Sequence, residues 1–233
     1  MVQTLNRRSK LEATPRRARR RDARRDDILR AAARSFRARG FADTGMRDIA
    51  DAADLSPANL YHYFRGKDEI LFYCQDRALD RMLAAVAAAR RAPSSKTGTA
   101  ARLHQVLTAH ARTLLDEVEG ASAHLETSAL QPALRARIVR KRDRYERALR
   151  ALIQDGVKRG DLFSENPAIV ARAMLGALNW TATWFDPAGS HSADEVAETI
   201  ASFLVRGVDK RTGTGLARAS EARPRLKDTD GRA

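Results

Sequence analysis

Residues 46–67 read MRDIADAADLSPANLYHYFRGK, and the fold turns on how that stretch is parsed. Ile49, Ala50 and Ala53 recur at helical spacing, so a short helix begins near Met46 with Thr44 or Gly45 as its cap. Asp54, Leu55 and Ser56 interrupt it with turn chemistry. Ser56 then offers its hydroxyl to the first N–H groups of a new helix, and Pro57 fills the first helical position, where no N–H is needed. This second short helix runs from Pro57 to Tyr63. Packing Ile49, Ala50, Ala53, Leu55, Leu60 and Phe64 inward leaves Ser56, Ala58, Asn59, Tyr61, His62 and Tyr63 on the outer face. A small first helix, a sharp turn and a polar, aromatic outer face are what a helix-turn-helix needs to enter the DNA major groove.

Toward the N-terminus, Ile28, Leu29, Ala32 and Phe36 predict a helix over Asp26–Arg39 that stops at Gly40, with Phe41 packing back on it. Before it, residues 1–25 carry ten Lys or Arg against Glu12 and Asp22 and almost no large apolar side chains. Such a segment buries too little to order itself and is read as a disordered Arg-rich arm. Toward the C-terminus a long helix is expected over Lys67–Arg91, with Ile70, Leu71, Cys74, Ala78, Met82 and Val86 as its stripe. Further helices are expected over Thr99–Val118, Glu119–Leu130, Pro132–Arg159, Pro167–Phe185 and Ala193–Val208, separated by Gly120, Gly160 and the turn Asp186-Pro187-Ala188-Gly189. No strand-like run occurs. The class is therefore all-α: a helix-turn-helix DNA-binding domain over 26–72, a larger helical body over 73–208 and a disordered tail over 209–233.

The chain has 233 residues, 43 Lys or Arg and 29 Asp or Glu, for a formal charge of +14. More than half of the excess sits in the arm and a further +3 lies from Gly207 onward, so the central body is close to neutral and a polyanionic partner is expected. No stretch is apolar for long enough to span a membrane, and no apolar segment follows the N-terminal bases, so no membrane partner is expected and the location is read as cytoplasmic. Cys74, the single cysteine, is read as a small buried hydrophobe.

The ordered run Phe41, Thr44, Arg47-Asp48-Ile49-Ala50, Ala53, Leu55-Ser56, Leu60-Tyr61-His62-Tyr63-Phe64 and Gly66-Lys67-Asp68-Glu69 resembles the TetR family of bacterial transcriptional regulators over residues 26–72. The resemblance implies a homodimer that offers Pro57–Tyr63 of each subunit to one half of a palindromic operator on double-stranded DNA. It implies backbone contacts from Thr44 and Arg47, phosphate or base-edge contacts from Tyr61 and His62, and a phosphate clamp at Lys67. An anion beside Lys67 would also relieve a cation at a helix N-terminus. This sequence departs from many relatives at Pro57-Ala58-Asn59. Asn59 can read adenine bidentately, or simply meet solvent or phosphate. The arm is open to two readings as well, a flanking-groove or phosphate contact and a solvated tail.

For the body, the resemblance implies effector sensing and dimerisation through the last two long helices, with Val196, Ile200, Phe203 and Leu204 as a stripe. Residues 180–195 are similar to the C-terminal region of members that sense acyl-CoA thioesters. The leading expectation is a hydrophobic small-molecule effector, an acyl-CoA ahead of a free fatty acid. Candidate lining residues are Leu103, Leu107, His110, Leu114, Leu125, Tyr145, Leu149, Asn179 and Trp180, with Leu130 and Ile138 behind them; Trp180 and Trp184 read equally well as core or dimer interface. Arg140, Lys141, Arg142 and Arg144 are candidates for CoA phosphates or a solvated face.

Other classes fare worse. The sequence has no nucleophile motif, phosphate loop or dinucleotide fingerprint, and His62, His104, His110, His124 and His191 form no metal-ligand pair at helical spacing. Neither enzyme activity nor a cofactor or metal is expected. The alternative is a nucleoid-type protein binding DNA without sequence preference, which would need neither the body nor Asn59.

Overall fold

The computed structural model describes residues 3–92, 98–115 and 127–211, with side chains from Arg16 onward. The described residues form eight helices: α1 (Gln3–Arg39), α2 (Met46–Ala52), α3 (Pro57–Tyr61), α4 (Lys67–Arg91), α5 (Thr99–Leu115), α6 (Pro132–Arg159), α7 (Pro167–Trp184) and α8 (Ala193–Arg206). Among them the sole β pairing is an isolated bridge, Leu162 to Asp209. The all-α class thus holds. Of the helix expected over Glu119–Leu130, residues 119–126 lie outside the described residues, as does the break at Gly120, and 127–130 form a turn.

The largest departure is at the start. The arm expected to be disordered is helical from Gln3 and continuous with the segment that packs in the head. The physical reason is that a helix nucleated by Ile28, Ala32 and Phe36, all buried, propagates outward at the cost of one residue per hydrogen bond, and Arg and Ala propagate it well. The end of the arm is also fastened. Arg24 donates from Nη2 to the carbonyls of Ala53 and Asp54, each at 3.1 Å. The Arg25 guanidinium lies 4.8 Å from the Phe64 ring centre and 4.5 Å from that of Tyr73, and Asp26 pairs with Arg77 of α4. A boundary between 25 and 26 therefore cuts through the packing of the head.

Gly40 ends α1 at φ 79°, the left-handed geometry that glycine adopts without strain, with its N–H on the Phe36 carbonyl. Ile28, Phe36, Ile49, Ala50, Leu60 and Phe64 interlock beneath α1–α3, and α4 continues the same core through Ile70, Leu71, Leu79 and Met82. Cys74 is buried in it. In the body α4 packs on α5 and α6, and α5 lies along α8. One helix, α4, belongs to both halves.

Candidate functional site

The turn between α2 and α3 is built from local chemistry. Gly45 caps α2, and the Asp48 carboxylate accepts its N–H at 2.7 Å. That bond, helped by Arg39, holds Asp48 below the usual carboxylate range. Asp54 adopts φ 52°, a left-handed conformation that Asp tolerates better than most residues, and Leu55 then donates to Ala50 at 2.9 Å. Ser56 caps α3 by accepting from the Asn59 N–H at 3.2 Å, with Pro57 in the first position. Leu60 is fully buried, which fixes the rotation of α3 and turns Ala58, Asn59, Tyr61 and His62 outward. Ser56 and Arg47 are exposed beside them, while Pro57 and Tyr63 are half-buried at the edge.

Two of the expected DNA contacts have other work. Thr44 is wholly buried, and its hydroxyl lies 2.7 Å from the Gly40 carbonyl and 3.2 Å from that of Ser35. Its side chain fastens the α1–α2 loop and is closed to a phosphate. Lys67, expected as a phosphate clamp, donates to the carbonyls of Phe41, Ala42 and Thr44 at 2.9, 3.0 and 3.2 Å and sits 4.6 Å from the Phe41 ring centre. An ammonium has three N–H donors, and these three acceptors use all of them. Lys67 is a clasp between the N-terminus of α4 and that loop.

In the body, His110 (α5), Tyr145 (α6) and Asn179 (α7) converge. His110 Nδ1 is 2.9 Å from the Tyr145 hydroxyl, and Nε2 is 3.3 Å from Asn179 Oδ1. The amide carbonyl facing Nε2 requires a proton there, so Nδ1 accepts from the tyrosine. Burial holds the imidazole neutral, its pKa pushed down to about 4, and pushes the Tyr145 hydroxyl up. These three groups line a cavity of about 180 Å³, closed by Met82 of α4, Leu175 of α7 and the polar run Arg142, Asp143 and Glu146 of α6.

Leu103, Leu107, Leu114 and Leu149 are completely buried but line no part of it; with Leu130 and Ile138 they are core. Leu125 lies outside the described residues. Trp180 is 64% exposed, against its expected place in the site. With Leu178 and Thr181 of the same helix facing inward, helical geometry carries Trp180 outward. Arg140 and Arg144 are exposed on α6, whereas Lys141 is tied to the Asp76 carbonyl and to Asp80, both at 2.8 Å. Met82 and Leu175 were indistinguishable from core in the sequence. Glu146 carries a signal in hindsight, since Arg142, Tyr145, Glu146 and Leu149 share one helical face whose polarity breaks an apolar stripe.

Residues 28–74 match the family of bacterial regulatory proteins named tetR, and residues 96–208 match the tetracyclin repressor-like C-terminal domain. The HTH-type transcriptional repressor KstR2 of Rhodococcus jostii is 29% identical over 194 residues, 79% of this chain and 91% of that one. The TetR family transcriptional regulator PfmR from Thermus thermophilus superposes with a TM-score of 0.69 at 34% identity, over 77% of this chain and 97% of its own. AibR, solved with isovaleryl coenzyme A and operator DNA, shares the fold with a TM-score of 0.62 at 24% identity, over 78% and 98%.

Proposed function

The chain belongs to the TetR family of bacterial transcriptional regulators, and from that premise we propose that it is a repressor that binds a palindromic operator as a homodimer and leaves it when a hydrophobic small molecule, foremost an acyl-CoA, enters the body. The observation that carries this reading is α4. It begins at the Lys67 clasp beside the reading head and forms a wall of the cavity at Met82. A ligand that displaces Met82 acts on the helix that packs on α1 and is clasped to the loop before α2, and dimer half-sites one helical turn apart tolerate little change in the separation of two recognition helices.

Exposed Ser56, Ala58, Asn59, Tyr61, His62 and Arg47 supply the reading surface, with Pro57 and Tyr63 at its edge. Exposed Trp180 and Trp184 on α7 and Phe203 on α8 supply apolar area for a second copy. Ligand pockets commonly measure roughly 300–1,000 Å³, so a cavity of about 180 Å³ suits a short acyl group, with the nucleotide of coenzyme A outside near Arg142. A thioester carbonyl finds a hydrogen-bond donor in the side-chain amide nitrogen of Asn179, since the Tyr145 proton is held by His110. The named repressor among the relatives and the thioester bound by AibR support the same reading.

The test is a fluorescence-anisotropy titration against a duplex selected from random sequence, with and without a panel of acyl-CoAs. The expected result is palindrome-specific binding released by one thioester. Binding that ignores every thioester would remove the effector class, and binding without sequence preference would remove the operator.

A further inference from the structure

The helical arm runs on past the clasp at Arg24, and its next turns carry Arg17, Arg20 and Arg21, all exposed. Arg17, Arg20 or Arg21, and Arg24 recur at helical spacing, so they share the face of α1 that Arg24 turns toward the α2–α3 turn. Across from that face stand Asn59, His62 and Tyr63 of the recognition segment. Between the two lies a cleft of about 660 Å³, more than three times the volume of the cavity in the body. Among the described residues no carboxylate lines it. Three guanidinium groups facing an amide, an imidazole and a phenol, with no acid among them, form a site for anionic oxygens.

We infer that this cleft seats the DNA backbone, with Arg17, Arg20 and Arg21 neutralising phosphates beyond the half-site read by α3. The inference rests on the DNA-binding reading and assigns the arm its mode of contact. A helix with side chains is about 10–12 Å across and the minor groove of B-DNA is about 6 Å wide, so an arm held as a helix rides on the backbone and does not enter that groove. Its contacts then add affinity and salt dependence but carry no sequence information. From Arg24 to Arg17 the helix rises about 10 Å, or about three base pairs at 3.4 Å each. With α1 lying along the duplex, the arm extends the footprint by at most about three base pairs at each end.

The experiment measures log affinity against log salt for the full chain and for the variant Arg17→Ala, Arg20→Ala, Arg21→Ala, on a selected duplex and on a random duplex of equal length. Each neutralised phosphate contributes about 0.9 to the slope, so the variant's slope is expected to be shallower by about 2–3 on both duplexes. Each doubling of salt then weakens the wild type by about sixfold more than the variant. Replacing all three by Lys keeps the slope, and circular dichroism of the alanine variant keeps its helix content and melting temperature. Trimming about three base pairs from each end brings the wild-type slope down to the variant's. An unchanged slope in the alanine variant overturns the inference, and so does a loss of base preference at the flanks. A wild type without any sequence preference overturns the operator reading instead, while the slopes on random duplex still decide the role of the arm.

Discussion

His110 makes the stability of the body depend on pH in a calculable way. Its pKa is about 4 in the folded chain against 6.5 for an ordinary histidine. The folded state therefore favours the neutral ring. The unfolded chain takes up the proton first as pH falls, so stability is fully present above the unfolded value and is lost on acidification through 6.5 toward about 4. A gap of this size is worth on the order of 3 kcal/mol when fully expressed, and about 2 kcal/mol of it is gone by about pH 5. The control is His110→Gln, which keeps a polar side chain but does not titrate. Carboxylates held low by their partners, such as Asp48, Asp161, Asp209 and Glu195, withdraw their contribution at still lower pH and leave this window to the imidazole. Urea denaturation of both proteins at about pH 7 and about pH 5, at one fixed protomer concentration, gives the comparison. The wild type is expected to lose about 2 kcal/mol more than the variant between the two. Parallel losses would show that His110 is accessible to protons in the folded chain, and the buried triad would be wrongly drawn.

Lys67→Ala removes three charge-assisted bonds from the loop before α2 and should destabilise the head by about 2 kcal/mol, read as a lower melting temperature without DNA; lost operator affinity at unchanged stability would restore the phosphate clamp. Phe203→Glu, at a side chain 75% exposed, should convert the dimer to monomer in sedimentation velocity while the monomer keeps its helix content. A Cβ at Gly156 would stand 2.6–2.7 Å from Leu162 and Thr99 side-chain carbons, so Gly156→Ala should cost about 1–3 kcal/mol in urea denaturation; a neutral effect would mean that the 160s loop moves freely off α6.

The helix-turn-helix was legible because its signals are local: Ser56 and Pro57 start α3, Gly40 stops α1, and the apolar spacing of Ile49, Ala50 and Leu60 sets the inner face. The intramolecular partners of Thr44 and Lys67 were not legible for the opposite reason. Their partners are carbonyls of Ser35, Gly40, Phe41 and Ala42, and nothing in a sequence marks which backbone oxygens are left over after helices form. His110, Tyr145 and Asn179 were named among the lining candidates beside Leu103 and Leu107, and a leucine has the same helical spacing whether it faces a cavity or its neighbours. The arm was misread because composition describes what a segment can bury alone, and its helix is nucleated from next door.

The Arg24 clasp and the Arg25 cover over Phe64 and Tyr73 lie just upstream of the family match, which opens at residue 28. A chain shortened to begin at Asp26 would keep every residue of that match. It would also leave the Ala53 and Asp54 carbonyls without their donor and set a new terminal ammonium against the positive end of the α1 dipole. Anyone transplanting this reading head onto a different sensor body should take the graft from Arg16 or earlier, because the fastening of its central turn is encoded ahead of the segment by which it is recognised.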